Sequence, residues 1–279
     1  MPSPASHPKL GIIAGSGNFP ERVIAAAHSE GRDIFVIAFD GETDMPSITS
    51  VPHAWVHLGH IGHAIRILKQ ENIHDIILAG KVRRPVLPSL RFDIQGLKLL
   101  SRIAKSQLYG DNAIFSTIVG FLEDSGFTVH GADSIFTELV APEGIMGTII
   151  PNTSQLNDIA IGAKAASIIG SLDIGQAVIV QNSIILGVEA IEGTDALMER
   201  CAKLQSPGKG GVLIKMKKPM QESRIDLPAI GITTIINAHH AGLSGIAIQA
   251  GGAIIIDRQS VIRKANELGL FVTGIIKPD

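Results

Sequence analysis

The sequence predicts an α/β protein built on a parallel sheet, and three observations support that class. Apolar residues make up 45% of the 279 residues, whereas charged residues make up only 18%. Aromatic residues are scarce at 4%, so the core must be built from Ile, Val, Leu and Ala, as is usual for parallel sheets covered by helices. Short apolar strands also alternate with helical segments through the first half, which implies right-handed crossovers.

The first half alternates strands and helices in a regular order. Strands are predicted in "LGIIAG", in "DIFVIAFD", in "DIILAG" and in "FTVHGA". Helices are predicted from Pro20 to about Glu30, from about Gly62 to Glu71, in "GLKLLSRIAKS" and in "DNAIFSTIVGFLEDSG". Proline at the start of the first helix fits this order, because its missing N–H has no helical partner there in any case.

Turn-forming residues accumulate in "APEGIMGTIIPNTSQ", residues 141–155, and we place the domain boundary there. The predicted domains are 1–145 and 146–279. The second domain is predicted to contain a helix in "LNDIAIGAKAASIIGSL", a hairpin turning at residues 181–183, a helix in "TDALMERCAKL" and a strand in "GVLIKMKK". Two strands, a helix capped near Asp257 and a last strand are predicted to follow.

The composition excludes several classes of protein. The formal net charge is −2 and there is no basic tail, so we expect no nucleic-acid binding. A single cysteine, Cys201, excludes an intrachain disulfide and a cysteine-based zinc site, and suits a reducing compartment. No segment has the pattern of a signal peptide or is apolar for long enough to span a bilayer. We therefore expect a cytoplasmic protein.

A glycine-rich loop, "GIIAGSGNFP", separates the first strand from the first helix. Glycines at 15 and 17 suit a phosphate-binding turn, where backbone N–H groups approach an anion at a helix N-terminus. Asp40 ends the next strand and could bind a ribose hydroxyl, as in dinucleotide-binding domains. Pro20 stands where the third glycine of that fingerprint is expected. An ordinary tight turn between strand and helix is the alternative.

A basic loop, "LAGKVRRP", follows another strand at the edge where open α/β sheets bind ligands. Lys81, Arg83 and Arg84 could contact phosphate there, with the arginines able to bind through two nitrogens. A solvated basic loop is the alternative, and we favour it for Arg83 and Arg84.

Four histidines, at 53, 57, 60 and 63, are spaced by four, three and three residues. On one continuous helix they would share a face and could bind a metal ion. Two glycines interrupt the stretch and no acidic residue accompanies it, which argues against a metal site.

Three carboxylates of the second half are candidates for chemistry or for structure. Asp195 is predicted in the first turn of a helix that Thr194 or Gly193 can cap, where it complements the helix dipole. Asp173 beside a glycine is typical of a turn. Glu189 lies between apolar neighbours in a predicted strand and, if buried, requires a partner.

The segment "QESRIDLP" places charged residues in a stretch that is otherwise typical of a buried strand. Alternation puts Arg224 and Asp226 on one face, where they could form a structural ion pair. Alternatively, Asp226 close to Lys215, Lys217 and Lys218 resembles a phosphoryl-transfer site, in which an acid binds a metal and cations offset negative charge.

Taken together, several motifs of the sequence resemble those of a known family. The motifs are "KLGIIAGSGNFP", "ILAGKVRRP", "SLDIGQAVIV", "VEAIEGTDALM", "KKPMQESRIDLPAIG" and "HHAGLSGIAIQAGGAIIIDR". In these stretches the chain resembles the LpxI-type UDP-2,3-diacylglucosamine diphosphatases of lipid A biosynthesis. The resemblance implies a Rossmann-like N-terminal domain, a separate C-terminal α/β domain with a mixed sheet, and Mg²⁺-dependent hydrolysis of UDP-2,3-diacylglucosamine to UMP and 2,3-diacylglucosamine 1-phosphate.

The resemblance also implies roles for individual residues. Asp226 matches the aspartate tied to catalysis, and Asp226 and Asp195 are the predicted Mg²⁺ ligands. Arg224, Lys215 and Lys217 are predicted to stabilise charge on the leaving phosphate. The predicted substrate-binding residues are Gly15, Ser16, Gly17, Ala79, Gly80, Lys81, Asp173, Gln176, Glu189 and Thr194. His63 departs from the family, where a lysine is common at that position.

A lipid-nucleotide substrate implies transient contact with the cytoplasmic face of the inner membrane, although no basic amphipathic helix is evident from the sequence. The oligomeric state is left open, with a homodimer as one alternative. Two other functions also stay open. One is an NAD(P)-dependent oxidoreductase, which would use the glycine loop and Asp40. The other is a non-catalytic protein that binds nucleotide or lipid.

Overall fold

The computed structural model describes residues 7–43, 46–82, 91–106, 111–208, 210–219, 222, 224–225 and 227–277. The chain divides into two compact units, one formed by Met1–Thr137 with Glu222–Asp226 and the other by Glu138–Gln221 with Leu227–Asp279. A short segment from the second half of the sequence therefore belongs to the first unit. The domain ranges 1–145 and 146–279 stay a sequence-based prediction.

The first unit contains a parallel sheet, which within the described residues has five strands in the order β3-β2-β1-β4-β5. The strands are β1 (Leu10–Ala14), β2 (Ile34–Phe39), β3 (His53–Val56), β4 (Asp75–Ala79) and β5 (Thr128–His130). The helices are α1 (Phe19–Ser29), α2 (Ile61–Gln70), α3 (Ile94–Ser106), α4 (Asp111–Asp124) and the short α5 (Ala132–Ile135). Apart from β3 and the short α5, this alternation is the one that the sequence predicted.

The topology places two loops side by side at the edge where the strands end. Every residue of β2 is buried, because a parallel strand inside such a sheet has helices on both of its faces. The strand order reverses between β1 and β4, so the chain leaves these neighbouring strands in opposite directions. In open α/β sheets, ligands bind at such a switch point, outside the carboxyl ends of the strands.

The second unit contains a mixed sheet with six strands, within the described residues, in the order β6-β13-β11-β9-β7-β8. Its strands are β6 (Gly144–Ile145), β7 (Ala177–Gln181), β8 (Ile184–Val188), β9 (Val212–Lys215), β11 (Gly245–Gln249) and β13 (Phe271–Ile275), and β10 (Ala229–Ile230) pairs with β12 (Ile254–Ile255) outside that sheet. The helices are α6 (Thr153–Ser171), α7 (Gly193–Ala202), α8 (Ile232–His240) and α9 (Arg258–Glu267). The predicted fold class, a Rossmann-like parallel sheet followed by a separate α/β domain with a mixed sheet, is confirmed.

The predicted hairpin turn between β7 and β8 is confirmed, and a buried acid holds it. Asn182 and Ser183 have φ values of 50° and 68°, as the turns that suit two-residue hairpins require. The carboxylate of Asp158, on α6, accepts hydrogen bonds from the N–H groups of Asn182 at 3.0 Å and Ser183 at 2.6 Å. The turn is therefore fixed both by its own sequence and by a partner on the helix that covers the sheet.

Two helix starts in the second unit follow from local sequence. Asn152 and Gln155 form a capping box at the start of α6, each side chain bonding the other residue's backbone N–H. Asp257 caps α9 by accepting from the N–H of Ser260 at 3.3 Å, as predicted. Both caps satisfy N–H groups that the first helical turn leaves without a partner.

Four elements named here differ from the sequence-based predictions. Strand β3 was not predicted, and neither were the two-residue strands β6 and β10, which are too short to show periodicity. The predicted strand around Arg224 is wrong, because Arg224 and Ile225 lie in a turn. The alternation of apolar and charged residues there arises because Ile225 packs into the core of the first unit. Within the described residues, no helix is long and apolar enough to cross a membrane.

Candidate functional site

In the first unit, the loops that follow β1 and β4 are joined by backbone hydrogen bonds. The N–H of Ser16 donates to the carbonyl of Lys81 at 2.7 Å, and the N–H of Lys81 donates back to the carbonyl of Ser16 at 3.0 Å. The N–H of Gly15 donates to the carbonyl of Ala79 at 2.8 Å. The predicted substrate-binding residues Gly15, Ser16, Ala79 and Lys81 therefore lie together, at the switch point of the sheet.

This close approach explains two of the glycines without invoking a ligand. A side chain at Gly15 would collide with the carbonyl of Lys81. Gly80 has a φ of 93°, and a Cβ there would lie 2.7 Å from the carbonyl oxygen of Ser16. Gly17 is different, because its φ of 88° requires glycine while the space beside it is open. Of these three glycines, Gly17 is therefore the one that combines a backbone conformation favouring glycine with room for another molecule.

The amide groups that remain for an anion lie at the start of α1. The N–H groups of Gly15 and Ser16 already donate to carbonyls of the β4 loop. The N–H of Gly17 makes no hydrogen bond within the described residues, and Asn18 supplies no side-chain cap to α1. The phosphate-binding turn predicted from the glycines is thus reduced to Gly17 and the first turn of α1, where the helix dipole favours negative charge.

Asp40 lies at the carboxyl end of β2, where the sequence predicted an acid for a ribose hydroxyl. Its carboxylate is 3.0 Å from Nδ1 of His57, which follows the neighbouring strand β3. The four histidines do not share a helix, since His53 begins β3 and His63 lies in the first turn of α2. The helical arrangement considered for a histidine metal site is therefore absent from the described residues.

In the second unit, sequence-distant motifs meet at one edge of the mixed sheet. Glu189 follows β8, and its buried carboxylate, 6% exposed, accepts two hydrogen bonds. The N–H of Gln176, just before β7, donates to Oε2 at 2.9 Å, and the hydroxyl of Thr194 donates to Oε1 at 2.6 Å. The partner that a buried Glu189 requires is therefore present. Thr194 acts as that partner and not as a helix cap, because α7 begins after Glu192 with no side-chain cap.

Lysines and an aspartate occupy the same edge. Asp173, with a φ of 56° in a turn after α6, pairs with Lys218 at 2.7 Å. Lys215 is buried at the end of β9, and its Nζ donates to the carbonyl of Ala229 at 3.1 Å. Lys217 is half-buried, and its amino group makes no ion pair within the described part of the chain. Of the two lysines predicted to stabilise charge, Lys215 thus anchors the start of β10, whereas Lys217 has no ion-pair partner among the described residues.

Arg224 is held by two glutamates. Its Nε and Nη2 donate to the two carboxylate oxygens of Glu222 at 2.7 and 2.8 Å, and its Nη1 donates to Glu123 of α4 at 2.7 Å. Hydrogen bonding to Glu222 raises the pKa of Arg224 above its ordinary value, so the charge is retained. These bonds fasten the segment Glu222–Asp226, which belongs to the first unit, to α4 of that unit. The role of Arg224 on a leaving phosphate stays a prediction.

Asp195 is the one predicted metal ligand that lies within the described residues. It is exposed in the first turn of α7, as predicted, and its Oδ1 accepts from the side-chain amide of Asn237 at 2.9 Å. No group of three His, Cys, Asp or Glu side chains suited to a metal ion is found within the described residues. Asp226, Arg83 and Arg84 lie outside the described residues.

Several residues around these predicted positions were missed. Glu222 could have been found, since it stands two residues before Arg224 in the same motif. Glu123 and Asn237 carry no such signal, because they are 101 and 42 residues from the side chains that they contact.

Comparison with known proteins assigns the family. Two family models match nearly the whole chain, the LpxI N-terminal domain over residues 9–139 and the LpxI C-terminal domain over residues 142–273. The chain belongs to the LpxI family. A relative from Caulobacter vibrioides, named UDP-2,3-diacylglucosamine pyrophosphatase LpxI, is 38% identical over 273 residues, which span 96% of this chain and 97% of the relative. The family membership predicted from the motifs is confirmed.

Similarity to a solved structure is weak for this LpxI-family chain. A precorrin-6A reductase, CobK, aligns over 98% of this chain and 89% of its own, with 14% identity and a TM-score of 0.30. Similarity at that level supports no conclusion about function.

Proposed function

We propose that this chain hydrolyses the pyrophosphate bond of UDP-2,3-diacylglucosamine, giving UMP and 2,3-diacylglucosamine 1-phosphate, as a step of lipid A biosynthesis. The observation that carries the proposal is the 38% identity, over 96% of the chain, to a protein named for that activity. The match includes both family domains, which supports transfer of the whole activity and not of one domain's binding role.

The loop edge of the first unit suits the anionic part of such a substrate. Gly17 leaves open space beside a helix start that lacks a side-chain cap, and backbone N–H groups in that setting bind phosphate oxygens. Lys81 is exposed on the adjoining loop and adds a positive charge. These features support the predicted substrate contacts at Gly17 and Lys81.

Two lysines at the sheet edge of the second unit have different roles in this proposal. We propose that Lys217 offsets the negative charge that develops on the phosphate. Its amino group forms no ion pair with a carboxylate among the described residues. Lys215 instead positions the chain that follows the "RIDLP" motif, through its bond to the carbonyl of Ala229. Glu189 positions Gln176 and Thr194 by accepting hydrogen bonds from both.

Arg224 acts in this proposal by fixing the segment that carries Asp226, the predicted catalytic acid. A guanidinium bound through two nitrogens to one carboxylate has a defined orientation, and the third bond to Glu123 ties it to α4. The bonds between Arg224 and Glu222 are partly shielded from water, because the two side chains are only 36% and 12% exposed. Their value here lies in the orientation of the segment.

Mg²⁺ is part of the proposal, with Asp226 and Asp195 as its protein ligands. The exposed carboxylate of Asp195 fits this ion, which binds one or two carboxylates together with water and substrate phosphates. The second oxygen of Asp195 makes no hydrogen bond within the described residues and is suited to that role. When bound, Mg²⁺ lowers the pKa of a coordinated water and offsets phosphate charge.

The direct test measures UMP released from UDP-2,3-diacylglucosamine, with Mg²⁺ and with EDTA. We expect release that requires Mg²⁺ and that falls by about a thousandfold or more in Asp226→Ala, as is typical when a group at the reacting centre is lost. Glu267→Gln is the matched control, because it removes one carboxylate from an exposed pair with Lys264 on α9. Activity of Asp226→Ala within a few-fold of the parent would make that residue structural.

The same assay separates the alternatives. Tight binding of the substrate without UMP release would favour a non-catalytic carrier. Protection against thermal unfolding by NAD(P), but not by UDP-sugars, would favour an oxidoreductase. In heavy-oxygen water we expect the label in UMP, since the predicted attack is on the phosphorus next to uridine, and label in the lipid phosphate would refute that.

A further inference from the structure

We propose that α3 is a membrane-docking helix, through which the protein binds the surface of an anionic lipid bilayer. The inference rests on the proposed function, because a substrate with two acyl chains is held in a membrane until an enzyme removes it. The surface itself is defined by the exposed side chains of α3, which are apolar or positively charged.

Apolar side chains of α3 are turned outward. Ile94 is 74% exposed and Leu97 is 54% exposed, whereas Leu99, Leu100 and Ile103 are half-buried against the unit. Exposed Ser101, Ala104 and Lys105 continue the outward side at helical spacing. The helix thus has an inner apolar side that packs on the fold and a second apolar group that contacts solvent. Such a group is the part of a surface helix that inserts between lipid headgroups.

Positive charge surrounds these apolar side chains. The sequence of α3 contains Lys98, Arg102 and Lys105 and no acidic residue, in a chain whose net charge is −2. Arg102 pairs with Asp124 at 2.6 Å, but Lys98 and Lys105 have no ion-pair partner within the described residues. Lysines near an anionic bilayer each favour binding, and their aliphatic stems can lie along the apolar boundary.

A cleft of about 310 Å³ adjoins the helix and extends its positive charge. Lys69 from α2 lines it together with Lys98 and Arg102, and Phe121 and Asp124 of α4 contribute to its wall. Three cations and one acid line this cleft, which suits the phosphate of a lipid headgroup. The apolar side chains and a headgroup subsite are therefore neighbours on one surface.

The start of α3 is fixed next to the start of α2, at the ligand-binding edge of the parallel sheet. The carboxylate of Asp93 accepts from the N–H of His63 at 3.1 Å and from that of Gly96 at 2.8 Å. The N–H of Asp93 donates to the carbonyl of Gly59, in the loop between β3 and α2, at 3.2 Å. Ile94 and Leu97 are thus held on the side of the unit from which its strands present their loops.

A bilayer fits this surface better than a second copy of the chain does. Two copies joined through α3 would bring unpaired Lys98 and Lys105 against like charges, which is unfavourable. An anionic bilayer offers both an apolar interior for Ile94 and Leu97 and negative charge for the lysines.

The test is co-sedimentation of the full chain with vesicles of phosphatidylethanolamine and phosphatidylglycerol, compared with pure phosphatidylcholine. We expect the parent to bind the anionic vesicles at least about tenfold more tightly, with the difference shrinking in 0.5 M salt. Lys98→Gln/Lys105→Gln should weaken binding by about fivefold for each lysine, or about 30-fold for the pair. Ile94→Gln/Leu97→Gln should weaken it on both kinds of vesicle, because the inserted apolar area is lost.

Matched controls come from the second unit. Ile150→Gln/Ile168→Gln removes two aliphatic side chains that are 71% and 54% exposed, nearly the same as the pair on α3. Lys164→Gln/Lys203→Gln removes two exposed lysines. Both controls should bind vesicles like the parent. UMP release from substrate in detergent micelles should stay within about twofold in the α3 variants, because no bilayer is involved.

Three results would overturn the docking proposal. The parent could fail to sediment with anionic vesicles, the α3 variants could sediment as the parent does, or Ile94→Gln/Leu97→Gln could abolish a dimer seen by analytical ultracentrifugation without lipid. The last result would identify the surface as an interface between copies. The vesicle assay does not depend on catalysis, and the UMP assay in micelles does not depend on a bilayer. Failure of the docking proposal can therefore be distinguished from failure of the proposed function.

Discussion

Glu189→Ala tests whether the carboxylate at the edge of the mixed sheet holds the second unit together. The change removes the acceptor for the Thr194 hydroxyl and for the N–H of Gln176. Both donor residues are half-buried, one just before β7 and the other at the start of α7. We therefore expect loss of stability in addition to any loss of substrate binding.

The magnitude follows from the two hydrogen bonds. A bond to a charged group contributes about 1.5–3 kcal/mol, and a buried donor left without a partner costs about 1–3 kcal/mol. Because both bonds share one buried carboxylate, we expect Glu189→Ala to lower the free energy of unfolding by about 3–5 kcal/mol. Glu189→Gln should cost only about 1 kcal/mol, because the amide oxygen can accept from Gln176 while the hydroxyl of Thr194 turns to accept from the amide nitrogen.

The assay is urea denaturation of the full chain, with the second unit followed by labelling of its buried thiol, Cys201. Glu199→Ala, which removes an exposed glutamate from the same helix α7, is the control and should change stability by less than about 0.5 kcal/mol. The reasoning is refuted if Glu189→Ala unfolds within that margin of the control. A normal stability combined with a raised KM would instead favour the predicted contact between Glu189 and substrate.

Three further predictions concern the fold. Gly80→Ala should lower stability by about 1–3 kcal/mol in thermal unfolding, since φ is 93° and the new Cβ would meet the carbonyl of Ser16, whereas Gly120→Ala, in open space on α4, should be neutral or stabilising. Asp158→Asn should cost about 1–3 kcal/mol in urea denaturation, because it removes a charged acceptor from the turn at residues 182–183, and an unchanged midpoint would contradict that role. Burial raises the pKa of Cys201, so at pH 8 less of it is thiolate, and we expect labelling by a disulfide reagent at least about a thousandfold slower in the native chain than in urea. Equal rates would show that the core around α7 opens readily.

Local patterns predicted most of the regular elements. The order of strands and helices, the hairpin turn at residues 181–183 and the cap at Asp257 each depend on residues within a few positions of one another. Alternating or continuous apolar stretches and turn-forming residues carry that information directly. Strand β3 was not predicted, because its four residues, "HAWV", begin a run of histidines whose spacing suggested a helix.

Long-range contacts were not predictable in the same way. Alternation in "SRIDL" predicted a strand at Arg224, but Arg224 lies in a turn and contacts Glu222 and, across 101 residues, Glu123. Thr194 or Gly193 was predicted to cap a helix, but α7 begins after Glu192 and Thr194 donates to Glu189. In each case the local pattern was compatible with several partners, and the fold selected one.

The proposed membrane-docking surface also depends partly on local sequence and partly on the packed structure. The sequence "IQGLKLLSRIAKS" shows that α3 contains apolar and basic residues, but it does not show which of the apolar residues face the core. Only the packed unit determines that Ile94 and Leu97 stay outside while Leu99, Leu100 and Ile103 pack inward.

By itself, the sequence determined the α/β class, most of the helices and strands, and membership of the LpxI family, because these depend on residue type and on short spacings. The tertiary structure alone decided that a segment of the second half joins the first unit, that the glycines at 15 and 80 serve a contact between two loops, and which charges are paired. The physical reason is that burial and hydrogen-bond pairing are fixed only when distant segments of the chain pack together, and every polar group that is then removed from water must find its partner among those segments.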